Sequence, residues 1–282
     1  MLKLKFVIDM SYTKLFANTA ISEAYHKFRP TYPIEVVDRI IKYLQEKHQS
    51  PLTLAIDVGC GSGQSTRNLS PHFEKVIGCD VSETQIKKAT ETEKLANIEY
   101  RIGNDETLPA EDGSVDLVTA AQAAHWFNLK KFYSEVDRIL KPGGCLALYG
   151  YGNAEFHQNS NEGELQKVFN EFYNGTLKGC WEDRRKHIED LYANIHLPYS
   201  DAVRDHSMAI EMEYTVSDFV GYLSSWSAFH EYKRLHPEEK DILQTVLEKF
   251  SRAFDKDAKS ADHTTMNVFY PIYLLLGRKP NS

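Results

Sequence analysis

Residues 54–63 read Leu-Ala-Ile-Asp-Val-Gly-Cys-Gly-Ser-Gly. The apolar, branched first half has the length and composition of a strand buried on both faces. Gly59, Gly61 and Gly63 follow at alternate positions. Glycine there admits positive φ and leaves no Cβ between backbone and ligand. Residues 64–70 then open a helix. A strand, a tight glycine turn and a helix N-terminus together make a unit that cradles a nucleotide.

The spacing narrows the choice of nucleotide. The dinucleotide fingerprint G-x-G-x-x-G wants glycine at position 64, where this chain has Gln64. This disfavours an NAD-dependent oxidoreductase. Asp57 lies inside the strand, just before the glycines. A carboxylate at that point suits a cationic ligand group better than a pyrophosphate.

On the C-terminal side, Lys75-Val76-Ile77-Gly78-Cys79-Asp80 reads as a second strand. Asp80 ends it near the ~20-residue offset expected of an acid that binds ribose hydroxyls. Ser82 then serves as the N-cap of the next helix. Residues 98–102, 114–121 and 145–150 read as three further strands. Asn104, Asp105 and Glu106 follow the third of them. An amphipathic helix over 132–140 ends at Lys141-Pro142-Gly143-Gly144. Strands alternating with helices imply a doubly wound, mostly parallel sheet.

On the N-terminal side, residues 22–43 read as helical, interrupted at Arg29-Pro30-Thr31-Tyr32-Pro33. Ile34, Val37, Ile40, Ile41 and Leu44 form a stripe of helical period that packs on a sheet. Met10 is an alternative start, because the recognisable pattern begins after it. Beyond Gly152 the character turns helical, over 164–173, 184–193, 216–229 and 237–254. Residues 207–214 form a candidate sixth strand. Residues 266–278 form a long closing strand interrupted by Pro271.

The formal charge of −7 argues against nucleic acid as the main partner. The basic cluster Arg184-Arg185-Lys186-His187 is too short to reverse that. No apolar run approaches the ~18 residues of a membrane span. The four cysteines, Cys60, Cys79, Cys145 and Cys180, show no C-x-x-C spacing. Free buried thiols and a cytoplasmic location follow as the expectation.

The motifs, in order, resemble the class I S-adenosylmethionine (SAM) methyltransferases. Motif I is the D-x-G-x-G-x-G of Asp57, Gly59, Gly61 and Gly63. Tyr25-His26-Lys27-Phe28-Arg29-Pro30-Thr31-Tyr32-Pro33 precedes it, and Gln122-Ala123-Ala124-His125-Trp126 and Leu140-Lys141-Pro142-Gly143-Gly144 follow. With Trp181, Arg184 and Ser225-Trp226-Ser227-Ala228, the chain is similar to the small-molecule subgroup that includes trans-aconitate methyltransferase-like proteins. The resemblance covers roughly residues 20–279. Asp105 departs from it, since the subgroup has a small residue there.

The resemblance implies a Rossmann-like, seven-stranded, mostly parallel sheet with an antiparallel last strand and a helical cap. It implies one methyltransferase domain over 1–282. The core covers about 34–151 and 203–279, the N-terminal lid about 11–33, and the cap insert about 152–202 with part of 216–262. SAM is the implied cofactor and S-adenosylhomocysteine its product. Tyr25, Arg29, Asp57, Gly59, Gly61, Gly63, Asp80, Asn104, Asp105, Glu106 and Gln122 would bind it. Tyr32, Trp181, Arg184 and Trp226 would bind the substrate.

Methyl transfer from a sulfonium is an in-line displacement that needs no metal, so none is expected. The protein must align the reactants and keep water out. An aromatic face is attractive to a sulfonium methyl, which nominates Trp126. His125 is the candidate base or hydrogen-bond donor. A carboxylate acceptor is already ionised at neutral pH and needs no base. Carboxylate O-methylation is the favoured variant. N-methylation of a small amine and non-catalytic SAM binding stay open, as does the oligomeric state. The lid is expected to have few apolar partners before a ligand fills the cleft.

Overall fold

The computed structural model describes residues 28–48, 50–157, 161–239, 242–254 and 265–281. Five strands lie parallel in the order β3-β2-β1-β4-β5: β1 Leu54–Val58, β2 Lys75–Asp80, β3 Ile98–Ile102, β4 Val115–Ala121 and β5 Leu140–Tyr151. The final strand β8, Thr265–Arg278, runs antiparallel to β5.

The sheet has eight strands rather than seven. The extra one arises because residues 203–215 split into β6, Val203–Asp205, and β7, Ala209–Thr215. Asp205 accepts from both the backbone N–H and the hydroxyl of Ser207, which turns the chain between them. Both short strands pair with the outer side of β8, β6 over Leu274–Leu276 and β7 over its first half. Pro271 sits at the changeover, next to the last β5 pair at Ile272. A residue without an N–H is tolerated where a ladder changes partners.

Side chains of successive strand residues point to opposite faces, and the core divides accordingly. Ala55, Leu117 and Ala147 join one buried cluster with Val37, Ile40 and Leu44 of α1, Ile34–Gln45. Their neighbours Ile56, Val118 and Leu148 join a second cluster with Phe132, Val136 and Ile139 of α4, Leu129–Ile139. Burying each large aliphatic side chain contributes about 1.5–3 kcal/mol. The two faces therefore hold the sheet, and with it the carboxyl ends of its strands, rigidly in place. The helices α2, Gln64–Leu69, and α3, Glu83–Thr92, follow β1 and β2. Ser82 caps α3 as expected, accepting from the Gln85 N–H.

The helices after Gly152 depart from the sequence reading at three points. α5, Glu162–Asn170, runs on as a π-helical stretch over Glu171–Thr176. Of 184–193 only α6, Arg185–Glu189, is helical, because Leu191 and Tyr192 take left-handed backbone angles. The helix expected over 216–229 is two, α7, Val216–Ser224, and α8, Ser227–Leu235. They break at Trp226, whose extended backbone turns its indole into a cluster of aromatic rings. α9, Ile242–Phe254, packs on α5 and α7. Among the described residues no helix is long and apolar enough to cross a membrane.

Candidate active site

The turn after β1 is built by its glycines. All three have positive φ: 70° at Gly59, 54° at Gly61 and 82° at Gly63. Gly59 and Gly63 are packed from behind. A Cβ at Gly59 would lie 2.5 Å from that of Ala123, and one at Gly63 would strike the Tyr100 hydroxyl. Gly61 differs, since a Cβ there would meet nothing within 4 Å. Its open side is the wall of a cleft that Arg29, Tyr32, Ser62, Gln64, Gln122 and Tyr151 also line.

Two carboxylates brace this turn. Asp57 is fully buried and accepts from the hydroxyls of Ser65 (2.8 Å), Thr66 (2.7 Å) and Thr119 (2.9 Å). It ties the first turn of α2 to β4. Burial pushes its carboxyl up, against the pull of those hydroxyls. Asp80 accepts from the N–H of Gly61 at 2.9 Å and of Ser82 at 2.8 Å. Burial raises its carboxyl too, and those backbone N–H groups oppose the rise. The Val81 N–H acts on the same carboxylate, which still keeps acceptor capacity to spare.

The loop after β3 abuts Asp80, whose carbonyl accepts from the Gly103 N–H. Its side chains are engaged locally. Asn104 accepts from the N–H groups of Glu106 and Thr107. Asp105 accepts from the Asn128 N–H, and Glu106 pairs with Lys131 at 2.7 Å. Two residues beside Asp80 escaped the sequence reading. Val81 is 40% exposed and Ile102, in register with Asp80, is 62% exposed. They leave large apolar surface open beside the Asp80 carboxylate. Their apolar identity at the ends of β2 and β3 was the signal available.

Tyr25 lies outside the described residues. From Phe28 onward the lid is packed, contrary to the expectation of few apolar partners. Tyr32 meets the rings of Tyr149 (4.9 Å) and Tyr151 (5.8 Å). Phe28 fills the space a Cβ would need at Gly221. Arg29 Nε donates to the Ser225 hydroxyl at 3.1 Å, and its guanidinium lies 5.5 Å from the Tyr222 ring. Ser225 is available for this because the helix breaks there.

His125 and Trp126 form a short turn beyond β4. His125 is buried, and a 2.7 Å hydrogen bond joins its Nδ1 to the Tyr192 hydroxyl. Burial pushes its imidazole down to about 3, and Arg185, His187 and Arg184 add to the shift. It is therefore a neutral hydrogen-bonding group in this conformation. Arg184 donates to the Trp126 carbonyl at 2.7 Å and sits over its ring. Trp181 and Trp226 lie 5.3 Å apart in the cap, and Arg185 covers the Trp181 face at 4.9 Å. Among the described residues, the cleft wall includes Arg29, Tyr32 and Gln122 but neither His125 nor the cap tryptophans.

The comparisons with known proteins agree with this arrangement. Residues 56–148 match the family described as "Methyltransferase domain". The chain is 36% identical over 261 residues to a "putative methyltransferase" of Dictyostelium discoideum, covering 92% of this chain and 94% of that one. It is 27% identical to a "probable S-adenosylmethionine-dependent methyltransferase" of Saccharomyces cerevisiae, over 80% of this chain and 85% of that one. A solved structure, "a putative type II methyltransferase from Anaeromyxobacter dehalogenans", superposes with a TM-score of 0.72 at 29% identity, covering 90% of this chain and all of that one. The chain belongs to the class I SAM-dependent methyltransferases, and its cofactor is SAM. The residues present fit that group: an open cradle at Gly61, a braced acid at Asp80 and uncovered apolar surface at Val81 and Ile102.

Proposed function

We propose that this methyltransferase acts on a small-molecule acceptor and that the favoured reaction is O-methylation of a carboxylate. The observation that carries this is His125, buried beyond β4 with its Nδ1 tied to the Tyr192 hydroxyl and its imidazole kept neutral by burial. A histidine held in this way is a poor base, which favours an acceptor already ionised at neutral pH.

In this reading the cofactor supplies a methyl already activated on a sulfonium. The chain's own residues bind and align. Gly59, Gly61 and Gly63 let backbone approach the ligand, and Asp57 keeps their turn in shape from behind. Asp80 takes the ribose hydroxyls. Asn104, Asp105 and Glu106 flank the adenine through their loop, with Val81 and Ile102 on its faces. Tyr25 and Arg29 close over the ligand, and Tyr32 helps to exclude water. His125 stays neutral beside Trp126, and Trp181, Arg184 and Trp226 shape the acceptor's side of the site. An ionised acceptor fits a site whose histidine is too weak a base to remove a proton.

Free thiols at Cys60, Cys79, Cys145 and Cys180 support a reducing, cytoplasmic setting. The acidic balance and the small cleft favour a metabolite over nucleic acid or membrane. Incubation of the protein with methyl-labelled SAM and a metabolite extract, read by mass spectrometry, tests the reading. A labelled product cleaved by mild alkali is expected. A base-stable labelled amine would replace carboxylate methylation by N-methylation. No labelled product, with SAM bound, would leave a binding protein.

A further inference from the structure

Among the described residues only Gln122, Leu191 and Tyr192 adopt positive φ without being glycine, at 53°, 48° and 57°. Such angles are strained and persist only where the surroundings impose them. These three come together at one place. Tyr192 and Tyr273 are fully buried, with ring centroids 4.4 Å apart. The Tyr273 hydroxyl donates to Gln122 Oε1 at 3.1 Å. That oxygen also accepts from the Tyr151 N–H at 3.0 Å, and Gln122 Nε2 donates to the Tyr151 carbonyl at 3.1 Å. Gly150 leaves the room for this crossing, since a Cβ there would collide with both Gln122 Oε1 and the Tyr273 hydroxyl. Arg204 donates to the Tyr192 carbonyl at 2.9 Å and so holds the left-handed turn from β6.

An amide oxygen has two lone pairs and an amide nitrogen two N–H groups. At Gln122 both lone pairs and one N–H are used. Flipping the amide would set an N–H against the Tyr151 N–H. The side chain therefore shows the cleft one group, a single N–H donor, and no acceptor.

The geometry points to Tyr273, backed by Tyr192, as a positioning residue that locks Gln122 so that its remaining N–H is offered to an acceptor oxygen on the amino-acid half of the cofactor. This rests on the reading of the cleft beside Gly61 as the cofactor's site. Tyr273 touches no ligand itself. It saturates the amide oxygen and holds the strained backbone at 122.

The test compares two probes by calorimetry on wild type, Tyr273→Phe and Gln122→Met. S-adenosylhomocysteine carries the amino-acid half, and 5′-methylthioadenosine lacks it. Both variants should lose about tenfold in affinity for the first, the worth of one polar contact, and little for the second. Gln122→Met keeps the test available if Tyr273→Phe does not fold, because residue 122 lies at the cleft surface. Equal affinities for S-adenosylhomocysteine in wild type and variants overturn the proposal. So does an equal loss for both probes, which marks a general structural effect. Failure of the wild type to bind S-adenosylhomocysteine at all would instead refute the underlying reading of the cleft.

Discussion

The glycine turn after β1 and the seam between Arg29 and the cap both line the same cleft, yet they are constructed differently. The turn is local. Its shape comes from alternate glycines with positive φ, and the braces at Asp57 and Asp80 lie towards the ends of adjacent strands. The seam joins residues almost two hundred positions apart, the Arg29 guanidinium donating to both the hydroxyl and the carbonyl of Ser225. A local turn can be recognised from its residue types. A long-range seam exists only once the cap has folded against the sheet. The turn should therefore fail by backbone collision and the seam by loss of single contacts.

The largest effect is expected at Gly61. Gly61→Val should cut affinity for S-adenosylhomocysteine by more than about 100-fold, or about 3 kcal/mol. The open space at its Cβ limits the folding cost to the left-handed strain, about 1–2 kcal/mol. Calorimetry and a denaturation curve on the same sample separate the two. A variant that binds normally would show that no ligand approaches the turn.

His125 gives the next effect. Its folded imidazole is held near 3 and its ordinary value is 6.5, so between these the unfolded chain binds a proton that the folded chain does not. The stability this contributes is complete above about pH 6.5 and is lost as pH falls towards 3. From pH 7 to pH 5 the loss is about 2 kcal/mol. Urea denaturation of wild type and His125→Gln at both pH values should show a shallower dependence in the variant. Superimposable pH profiles would mean that His125 titrates freely and is available as a base.

Asp80→Ala should weaken S-adenosylhomocysteine binding by about 1–3 kcal/mol, since it removes the brace on the Gly61 N–H and the proposed partner of the ribose. Unchanged binding would reduce Asp80 to a structural role. At the seam, Arg29→Ala should weaken binding by about 1–2 kcal/mol and raise hydrogen exchange across 28–33. Arg29→Lys should recover only part of this, because it lacks the planar fork. Full rescue by lysine would show that charge alone closes the seam.

How far the residues could be read in advance follows the same division. The strand over 54–58, the glycine turn, Asp80 and the Ser82 cap were legible because each is set by neighbours within a few positions. The split of 203–215 into two strands was not, because it depends on how far β8 extends past β5. The broken helix at Trp226 was hidden for a similar reason. Helical propensity is worth tenths of a kcal/mol per residue, and burying an indole among Phe169, Tyr173 and Tyr222 outweighs it.

Read alone, the chain specified a parallel sheet, the glycine turn after its first strand and the acid at the end of the second. Each of these comes from backbone preferences and period-two burial, which short-range chemistry dictates. Only the folded structure decided how Gln122 is oriented, that His125 is neutral, and which parts of the lid are anchored. Those properties depend on Tyr273, Tyr192 and Ser225, which approach the cleft from distant segments. No local pattern in a sequence records a contact whose partners are brought together by burial of the core between them.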